Sequence, residues 1–454
     1  MRPEKKKIVV IGGGASGCMA AIAAAREGST VCLLEKNEKL GKKLYATGNG
    51  RCNLTNLYMD KNCYHVDGIP DSDRLFSLLD RFSSKDLIRF FQEIGVPVHD
   101  RGGYVYPRTD QAETVVKALE KCLRSLGVRV ITPCTVKKVE PYNGHVSKKA
   151  GRAEPADPVS SGEEKHRFLV FCEKETQTGT REKRNRKEVR EELISCDSLI
   201  LCTGGLAGPD FGCSGDGYVF AKRFSHHLNK PLPALTQLVC GNPWQKRAAG
   251  VRCHASVCLL DSRGRMIPDT LEDGELQLTQ FGLSGIPVMQ LSGRAARLLD
   301  AGDRISARID FLPEFSAEDY LKEVNRRLQE SREQTLADLL LGLVHRKIID
   351  FVLASEGLQA EMKARRFSDR ELERLFDKLR GFTLEVTDVR SFEHAQVTAG
   401  GIPLGEVSDC LESLFCPGLF LAGEILDVDG RCGGYNLQWA MTGGILAGRA
   451  SSKH

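Results

Sequence analysis

The sequence predicts an α/β fold: a Rossmann-like dinucleotide-binding domain interrupted by a mostly-β segment and a small helical one. Three observations carry this. A glycine turn joins a strand to a helix near the start. Buried-strand runs that end in glycine recur at 198–205 and 419–423. Strand-like and then helix-like patterns fill the residues between them.

The first apolar run, Ile8 to Ile11, ends at Gly12-Gly13-Gly14-Ala15-Ser16-Gly17. An Ala-rich helical stretch follows, then Val31 to Leu34, closed by Glu35. Gly12, Gly14 and Gly17 have the G-x-G-x-x-G spacing. Gly12 allows the sharp turn, Gly14 lets backbone approach a pyrophosphate, and Gly17 lets the helix pack close to the strand. A helix starting at Ala15 and Ser16 offers its free N–H groups to the phosphates. Glu35 is placed for ribose hydroxyls, which disfavours a 2′-phosphate. The bare alternative is a βαβ turn that binds nothing. Two strands, a helix and an acid in register favour the dinucleotide.

Length and composition narrow the remainder. At 454 residues the chain is long enough for two or three domains. The net charge of +4 gives no global drive towards nucleic acid or an anionic membrane. No apolar run approaches the roughly 18 residues of a membrane span. The basic start before IVVIGGG resembles a signal peptide, but its glycines fall where the dinucleotide turn needs them. None of the 16 cysteines is spaced C-x-x-C, and no Cys/His cluster has zinc-finger spacing, so no metal site is expected. Cysteines inside apolar runs (Cys32, Cys172, Cys202, Cys258) act as small hydrophobes. Free thiols in a reducing cytoplasm are the expectation.

Further along, Ala46-Thr47-Gly48-Asn49-Gly50-Arg51-Cys52-Asn53-Leu54-Thr55-Asn56 is too rich in Gly, Asn and Thr for a helix. It presents amides and one guanidinium, groups suited to a phosphate or a flavin edge. Residues 71–94 have helical periodicity with a break at Ser83, where Ser83 and Asp86 form a capping box. Tyr104 to Pro107 is extended, Asp110 to Leu126 helical, and Val128 to Ile131 and Thr135 to Val139 are strand-like. Phe168 to Cys172 is a strand between polar stretches at 141–166 and 174–192, which read as long hairpin loops of a β-meander. The basic run Arg181 to Lys187 invites RNA, but its glutamate and lack of aromatics favour a solvated loop.

Ser198 to Cys202 is a buried strand ending at Thr203-Gly204-Gly205, a second backbone approach to the same cofactor. Short alternating segments at 255–260, 277–279 and 305–311 suggest a mostly-β domain. Thr279-Gln280-Phe281-Gly282-Leu283-Ser284-Gly285 is a turn before an apolar helix. From Ser316 to Phe382 the pattern is helical, and three short helices are expected, with Leu336, Leu340, Leu343 and Val344 on one face. The chain then returns to glycine. Leu419 to Glu424 is a strand, Asp427 follows in a loop, and Gly433-Gly434-Tyr435-Asn436-Leu437-Gln438 leads into a helix, Trp439 to Arg449. Its small residues, Ala440, Gly443, Gly444, Ala447 and Gly448, suit close packing on the first helix.

These motifs resemble a family: the FAD-dependent oxidoreductases of the aminoacetone-oxidase-like or bile-acid-reductase-like kind, with a glutathione-reductase-type FAD fold. The resemblance rests on VVIGGGASG, TGNGRCNLTN, LCTGG with SGDGY, TQFGLSG and GEILDVDGRCGGYNLQWAMTGG, and it spans nearly the whole chain. It implies FAD contacts at Gly12, Gly14, Ala15, Ser16, Gly17, Glu35, Lys36, Arg51, Cys52, Asn53, the Val136 backbone, Gly204, Glu424, Asp427, Gly434, Tyr435, Asn436 and Leu437. The expected parts are 1–205 and 383–454 for the FAD-binding domain, 206–315 for the mostly-β insertion and 316–382 for the helical cap. A helix start at Asn436-Leu437 would also stabilise negative charge on a reduced flavin, by roughly 0.3–2 kcal/mol.

The dinucleotide fingerprint does not recur, so NADH or NADPH would meet the flavin transiently, without a domain of its own. The leading expectation is an NAD(P)H-dependent reductase of a C=C bond conjugated to a ketone, on a lipophilic bile-acid or steroid-like substrate. The alternatives are an oxidase of a small aminoketone that makes hydrogen peroxide, and an RNA-modifying or non-catalytic flavoprotein. Candidate catalytic groups are Tyr435 and His394 as acids and Cys52 as one thiol of a redox pair with Cys432, both of which flank flavin motifs, though their separation in sequence gives no distance. Each has an ordinary structural alternative: a packed ring, a lone surface histidine, a buried thiol. Arg51 suits either a pyrophosphate or a substrate oxygen.

Overall fold

The computed structural model describes residues 5–66, 69–142, 167–178, 186–241, 245–330 and 333–453. They form two compact units, residues 1–231 with 397–454, and residues 232–396.

In the first unit β1 (Lys7–Ile11) leads through the glycine turn to α1 (Ala15–Arg26) and β2 (Thr30–Leu34). β3 (Thr55–Asn56), β4 (Tyr64–Val66), α2 (Ile69–Asp80), α3 (Ser84–Glu93), β5 (Val98–Arg101), β6 (Tyr104–Pro107), α4 (Ala112–Ser125) and β7 (Arg129–Ile131) follow. Next come β8 (Cys134–Pro141), β9 (Phe168–Thr178), β10 (Arg186–Cys196), β11 (Ser198–Leu201), α5 (Asp216–Arg223) and the start of β12 (Asn229–Ala234). The second unit holds β13 (Leu238–Cys240), α6 (Gln245–Ala248), β14 (Arg252–Leu260), β15 (Glu272–Leu278), β16 (Gly282–Gly285), α7 (Ile286–Asp300) and β17 (Ile305–Asp310). It closes with α8 (Ala317–Glu330), α9 (Leu336–Leu340), α10 (Arg346–Ser355), α11 (Asp369–Arg380) and β18 (Phe382–Val389). The chain then returns to the first unit with β19 (Val397–Gly401), β20 (Leu419–Leu421), β21 (Val428–Gly430) and α12 (Tyr435–Ser451).

The first unit is built on a parallel sheet of order β20-β11-β1-β2-β7. Its strands are near-continuous runs of Val, Ile and Leu because both faces are covered. Ile8 pairs with Ser198 on one side and Val31 on the other. The second unit is a closed six-stranded antiparallel barrel, β13-β16-β15-β14-β17-β18. Its helices share one hydrophobic core with it, for example Leu336, Ile348, Phe351 and Phe376 with Leu276, Ile309 and Leu384.

The antiparallel meander is present as β8-β9-β10. Its second hairpin departs from expectation: residues 174–178 and 186–192 are paired strand, with Lys174 opposite Arg190 and Thr178 opposite Arg186. A backbone ladder tolerates charged side chains where they reach solvent, so polarity there did not signal loop. Residues 143–166 and 179–185 lie outside the described residues. The helical stretch also differs, with four α-helices in place of three. The apolar spacing from Leu336 to Val344 runs across a break, where Leu341 is extended (ψ 134°) and Gly342 takes φ +84°. The Thr279–Gly285 segment is a tight turn followed by strand β16. The expected capping box forms at Ser83 with Asp86; at Ser316 the hydroxyl accepts from Asp319 N (3.1 Å) and donates to its carboxylate (2.7 Å), which is half of one. Among the described residues, no helix is long and apolar enough to cross a membrane.

α1 and α12 pack backbone to backbone. A Cβ on Gly444 would lie 2.3 Å from the Ser16 carbonyl oxygen, and another on Gly448 would be 2.3 Å from that of Ala20. Successive glycines of α12 thus meet successive turns of α1, so the helices run parallel. Nine residues of α12 precede Gly444, which sets its start about 10 Å ahead of the start of α1 at a rise of 1.5 Å per residue. Below the sheet edge, buried His226 is held between Glu406 (Nδ1 to Oε2, 2.8 Å) and the Ser413 hydroxyl (Nε2 to Oγ, 2.8 Å).

Two outcomes are expected. Gly444→Ala should destabilise the protein by about 1–3 kcal/mol through overpacking, against a much smaller effect of Gly443→Ala, whose Cβ would meet nothing nearer than 3.3 Å. Thermal unfolding of the two variants measures this. Burial holds His226 below the usual histidine range, against the pull of Glu406. The unfolded chain then binds the extra proton first, so stability is intact above about pH 6.5 and falls as pH drops below it. Melting temperatures between pH 7.5 and 5.5 should fall less in His226→Gln than in the parent.

Candidate functional site

The glycine turn carries out three separate tasks. Gly12 takes φ +102°, and a Cβ on it would lie 2.4 Å from the Cys202 carbonyl oxygen. A Cβ on Gly17 would sit 1.7 Å from the Gly12 carbonyl oxygen, so helix and strand meet here without side chains. Gly14 is different. Its φ is an ordinary −80°, it precedes the first turn of α1, and a Cβ there would meet nothing within 4 Å. The turn is therefore open at Gly14. α1 starts with no side chain capping it, which leaves its first N–H groups and positive dipole end for an anion.

Glu35 stands at the end of β2, buried. Its Oε2 accepts from Gly13 N (2.7 Å), and its Oε1 accepts from the Asn37 backbone N (2.7 Å) and side-chain Nδ2 (2.7 Å). A carboxylate offers about four lone-pair positions, so one remains for a ribose hydroxyl. Lys36 pairs with Asp216 (2.8 Å) and contacts the Ser214 hydroxyl. Val136 lies at a register shift in β8, where it faces Cys172 while Lys138 faces Phe171. Such a bulge releases backbone groups from the ladder.

The TGNGRCN loop and the C-terminal helix start are joined directly. The Asn53 amide donates to Val105 O (3.1 Å) and Thr55 O (3.0 Å), and its Oδ1 accepts from Gly434 N (3.2 Å). Asn56 Nδ2 donates to Gly433 O (3.0 Å). Thr55 Oγ1 donates to Gln438 Oε1 (2.6 Å), and the Gln438 Nε2 donates in turn to Thr442 Oγ1 and Phe82 O (2.9 Å each). Gly434 takes φ +95°, and a Cβ there would strike the Thr55 backbone at 2.5 Å. α12, like α1, begins with no side-chain cap.

The other expected residues are placed as follows. Ser16 is buried, its Oγ beside Cys202 Sγ (3.5 Å), and Ala15 opens α1. Gly204 takes φ +72° after β11. Glu424 pairs with Lys43 (2.8 Å) and accepts from Thr398 N (3.0 Å). Asp427 accepts from Asn229 Nδ2 at 2.7 Å. The Asn436 side chain folds back on Gly430 and Arg431, accepting from Gly430 N (2.7 Å) and donating to Gly430 O (2.8 Å). Leu437 is half-buried in the first turn of α12.

Of the proposed catalytic groups, Tyr435 and Cys52 lie in the first unit and His394 in the second. The Tyr435 hydroxyl donates to Tyr58 O (2.9 Å), and burial raises its pKa. Cys52 has no exposed surface, takes φ +61°, and has its thiol pushed up to about 12 by burial. His394 is exposed, its Nε2 accepting from the Arg390 guanidinium. Sequence reasoning missed the Gln438–Thr55–Thr442 relay and the Lys43–Glu424 pair. It also passed over Tyr104 and Tyr106, although their alternation in Tyr-Val-Tyr-Pro puts both on one sheet face.

These residues fit FAD. Gly14 leaves space against an uncapped helix start, and a second uncapped start lies about 10 Å further along a parallel axis, in the direction a ribityl chain would extend. The Tyr218 hydroxyl, beside Gly205, is buried with no hydrogen-bond partner among the described residues. A cofactor hydroxyl or a water would satisfy it. No cluster suited to a metal ion occurs among the described residues. Gly14→Val should fold with near-parental stability yet purify with little FAD. The ratio of absorbance at 450 nm to that at 280 nm, read beside thermal unfolding, checks both halves of that expectation.

The HI0933-like protein Rossmann domain family matches residues 6–156 and 164–450. The chain is 38% identical over 452 residues to the 3-dehydro-bile acid delta(4,6)-reductase of Clostridium scindens, covering 98% of this chain and 99% of that protein. It is 25% identical over 441 residues to the ribosomal RNA dihydrouridine synthase of Haemophilus influenzae (95% of each chain). It is 27% identical over 449 residues to that of Escherichia coli (96% of each). The glycine turn and the uncapped starts of α1 and α12 agree with these matches: the chain belongs to the HI0933-like family of FAD-binding Rossmann proteins and is an FAD-dependent oxidoreductase.

Proposed function

We propose that the protein reduces a C=C bond conjugated to a carbonyl, in a small lipophilic substrate of bile-acid or steroid shape. The observation that carries this is full-length identity of 38% to a reductase of that chemistry, joined to a site that fits one FAD. The ribosomal RNA relatives have a bearing on this reaction type. Dihydrouridine is uridine reduced at a C=C bond that is itself conjugated to a ring carbonyl. Relatives at 25–38% identity therefore carry names that share one bond change while the molecules differ.

FAD, when bound, supplies the hydride, which NADH or NADPH replenishes. In such a reduction a hydride taken up at the β-carbon would send the alkene electron pair towards the carbonyl carbon and the carbonyl pair onto oxygen. A proton then reaches the α-carbon. The chain's own share is to hold the cofactor, to place hydrogen-bond donors where oxygen gains charge, and to deliver that proton. The cofactor residues we propose are those of the glycine turn, Glu35, Lys36, the Arg51–Asn53 loop, the Val136 backbone, Gly204, Glu424, Asp427 and Gly434 to Leu437. Thiols free of disulfides fit a reducing compartment, and we place the protein in the cytoplasm.

A second reading, reduction of uracil in RNA, draws on the full-length likeness to the two synthases. Anaerobic mixing separates the possibilities. NADH or NADPH should bleach the flavin, and a 3-oxo-4-ene steroid should restore its colour with one saturated ketone formed per flavin. No bleaching by either nucleotide overturns the NAD(P)H-dependent reductase. Bleaching followed by reoxidation with a uridine-containing RNA alone moves the assignment to the second reading. Reduction by an aminoketone, with peroxide formed in air, would make the protein an oxidase.

A further inference from the structure

Five of the nine tyrosines gather on one face of the first unit, around the two flavin-related loops. Two of their hydroxyls are already committed. Tyr64 donates to Tyr435 O (2.9 Å), and Tyr435 donates to Tyr58 O (2.9 Å). The Tyr58 ring lies over Gly103, with that residue two-thirds exposed. The Tyr104 ring packs where a Cβ on Gly433 would be, at 2.5 Å.

Tyr106 differs in joining a closely held ring to a half-buried, uncommitted hydroxyl, whereas Tyr58 is two-thirds exposed. It stands on β6, on the same face as Tyr104, with buried Val105 on the opposite face between them. Its ring meets Gly48 of the TGNGRCN loop, with Cε1 3.6 Å from the Gly48 Cβ position. The ring is held on its other sides. His99 lies opposite in the strand pair, with ring centroids 6.1 Å apart, and the Arg101 guanidinium lies 6.0 Å from the ring centre. Asp110 fixes both of these neighbours, accepting from His99 Nε2 (3.0 Å) and pairing with Arg101. Yet the Tyr106 hydroxyl, half-buried, has no hydrogen-bond partner among the described residues. Arg51, from the same loop as Gly48, acts electrostatically on this phenol and opposes the upward push of burial on it.

A phenol with a fixed ring and an uncommitted O–H, beside a guanidinium, is a donor for an oxygen that gains negative charge. We propose that Tyr106 is the specificity-determining residue of this site, donating its hydrogen bond to the carbonyl oxygen of the conjugated ketone. This rests on the reductase reading above and deepens it: the substrate must carry a carbonyl at the end that enters against β6. Asp110, His99 and Arg101 are positioning residues that hold the ring. No bond forms or breaks at Tyr106. Its proton stays on the phenol oxygen, and the hydrogen bond strengthens as charge gathers on the substrate oxygen.

The test is binding to the oxidised holoprotein, which needs no turnover. Androst-4-en-3-one and its 3-deoxo counterpart, androst-4-ene, are titrated into the parent and Tyr106→Phe by equilibrium dialysis. FAD content is measured on the same samples, and the phenyl ring keeps the packing. Loss of one hydrogen bond should weaken the ketone about fivefold to tenfold and leave the deoxo compound unchanged. Equal ketone affinity in parent and variant overturns the role of Tyr106 and leaves the reductase reading standing. Equal weakening of both ligands also overturns it, because the ring alone would then matter. If the parent binds neither compound, the steroid-like substrate falls, and the carbonyl subsite with it.

Discussion

Everything at the candidate site depends on how closely two helices approach. α1 and α12 meet through glycine and alanine, with Gly444 and Gly448 against the carbonyls of Ser16 and Ala20. Side chains of ordinary size would hold the axes apart by more than the site can accommodate. Close approach lets residues separated by more than 400 positions act as one surface. It also sets the parallel offset of two positive helix ends, the arrangement that the proposed site for one long anionic cofactor calls for. The parallel sheet under α1 supplies the rigid base, with Ile8 to Ile11 of β1 and Ser198 to Leu201 of β11 buried on both faces.

A second constraint joins the loop after β2 to the start of α12. Asn53, Thr55 and Asn56 reach Gly434, Gln438 and Gly433 by three hydrogen bonds. Each residue is polar, and each is largely buried, so each needs the partner it has. This network accounts for the unusual richness of both motifs in amide and hydroxyl side chains. Such residues would be costly in a core without partners. Here they form a connected scaffold behind the loops, and the sheet face that carries Tyr104 and Tyr106 builds on the same strand β3.

Much of this was legible in the residues. The glycine spacing, Glu35 at the end of β2, the capping box at Ser83, the meander and the small-residue face of α12 all express local rules or a fixed period. Features that depend on partners distant in sequence were not legible. Nothing local marks β9 and β10 as continuing through charged residues, because their pairing is with each other. The helical periodicity from Leu336 to Val344 concealed a break, since Leu343 and Val344 remain partly buried beyond it. Gly342 was the available sign, with its φ of +84°. Nor could spacing assign Tyr106, whose role comes from a ring held by His99, Arg101 and Gly48, residues that sequence alone does not bring together.

The buried cysteines around the glycine turn have a chemical consequence of their own. Cys18, Cys52 and Cys202 all lie close to the proposed cofactor residues, and burial raises each thiol, with Cys52 and Cys202 reaching about 12. Thiolate, not thiol, is the form that peroxide oxidises quickly. A reduced flavin that meets air generates peroxide at its own site. Peroxide formed there would meet sulfur atoms that burial keeps protonated. Burial thus keeps these thiols in the form least open to oxidation, with sulfur filling space where a serine would demand hydrogen bonds.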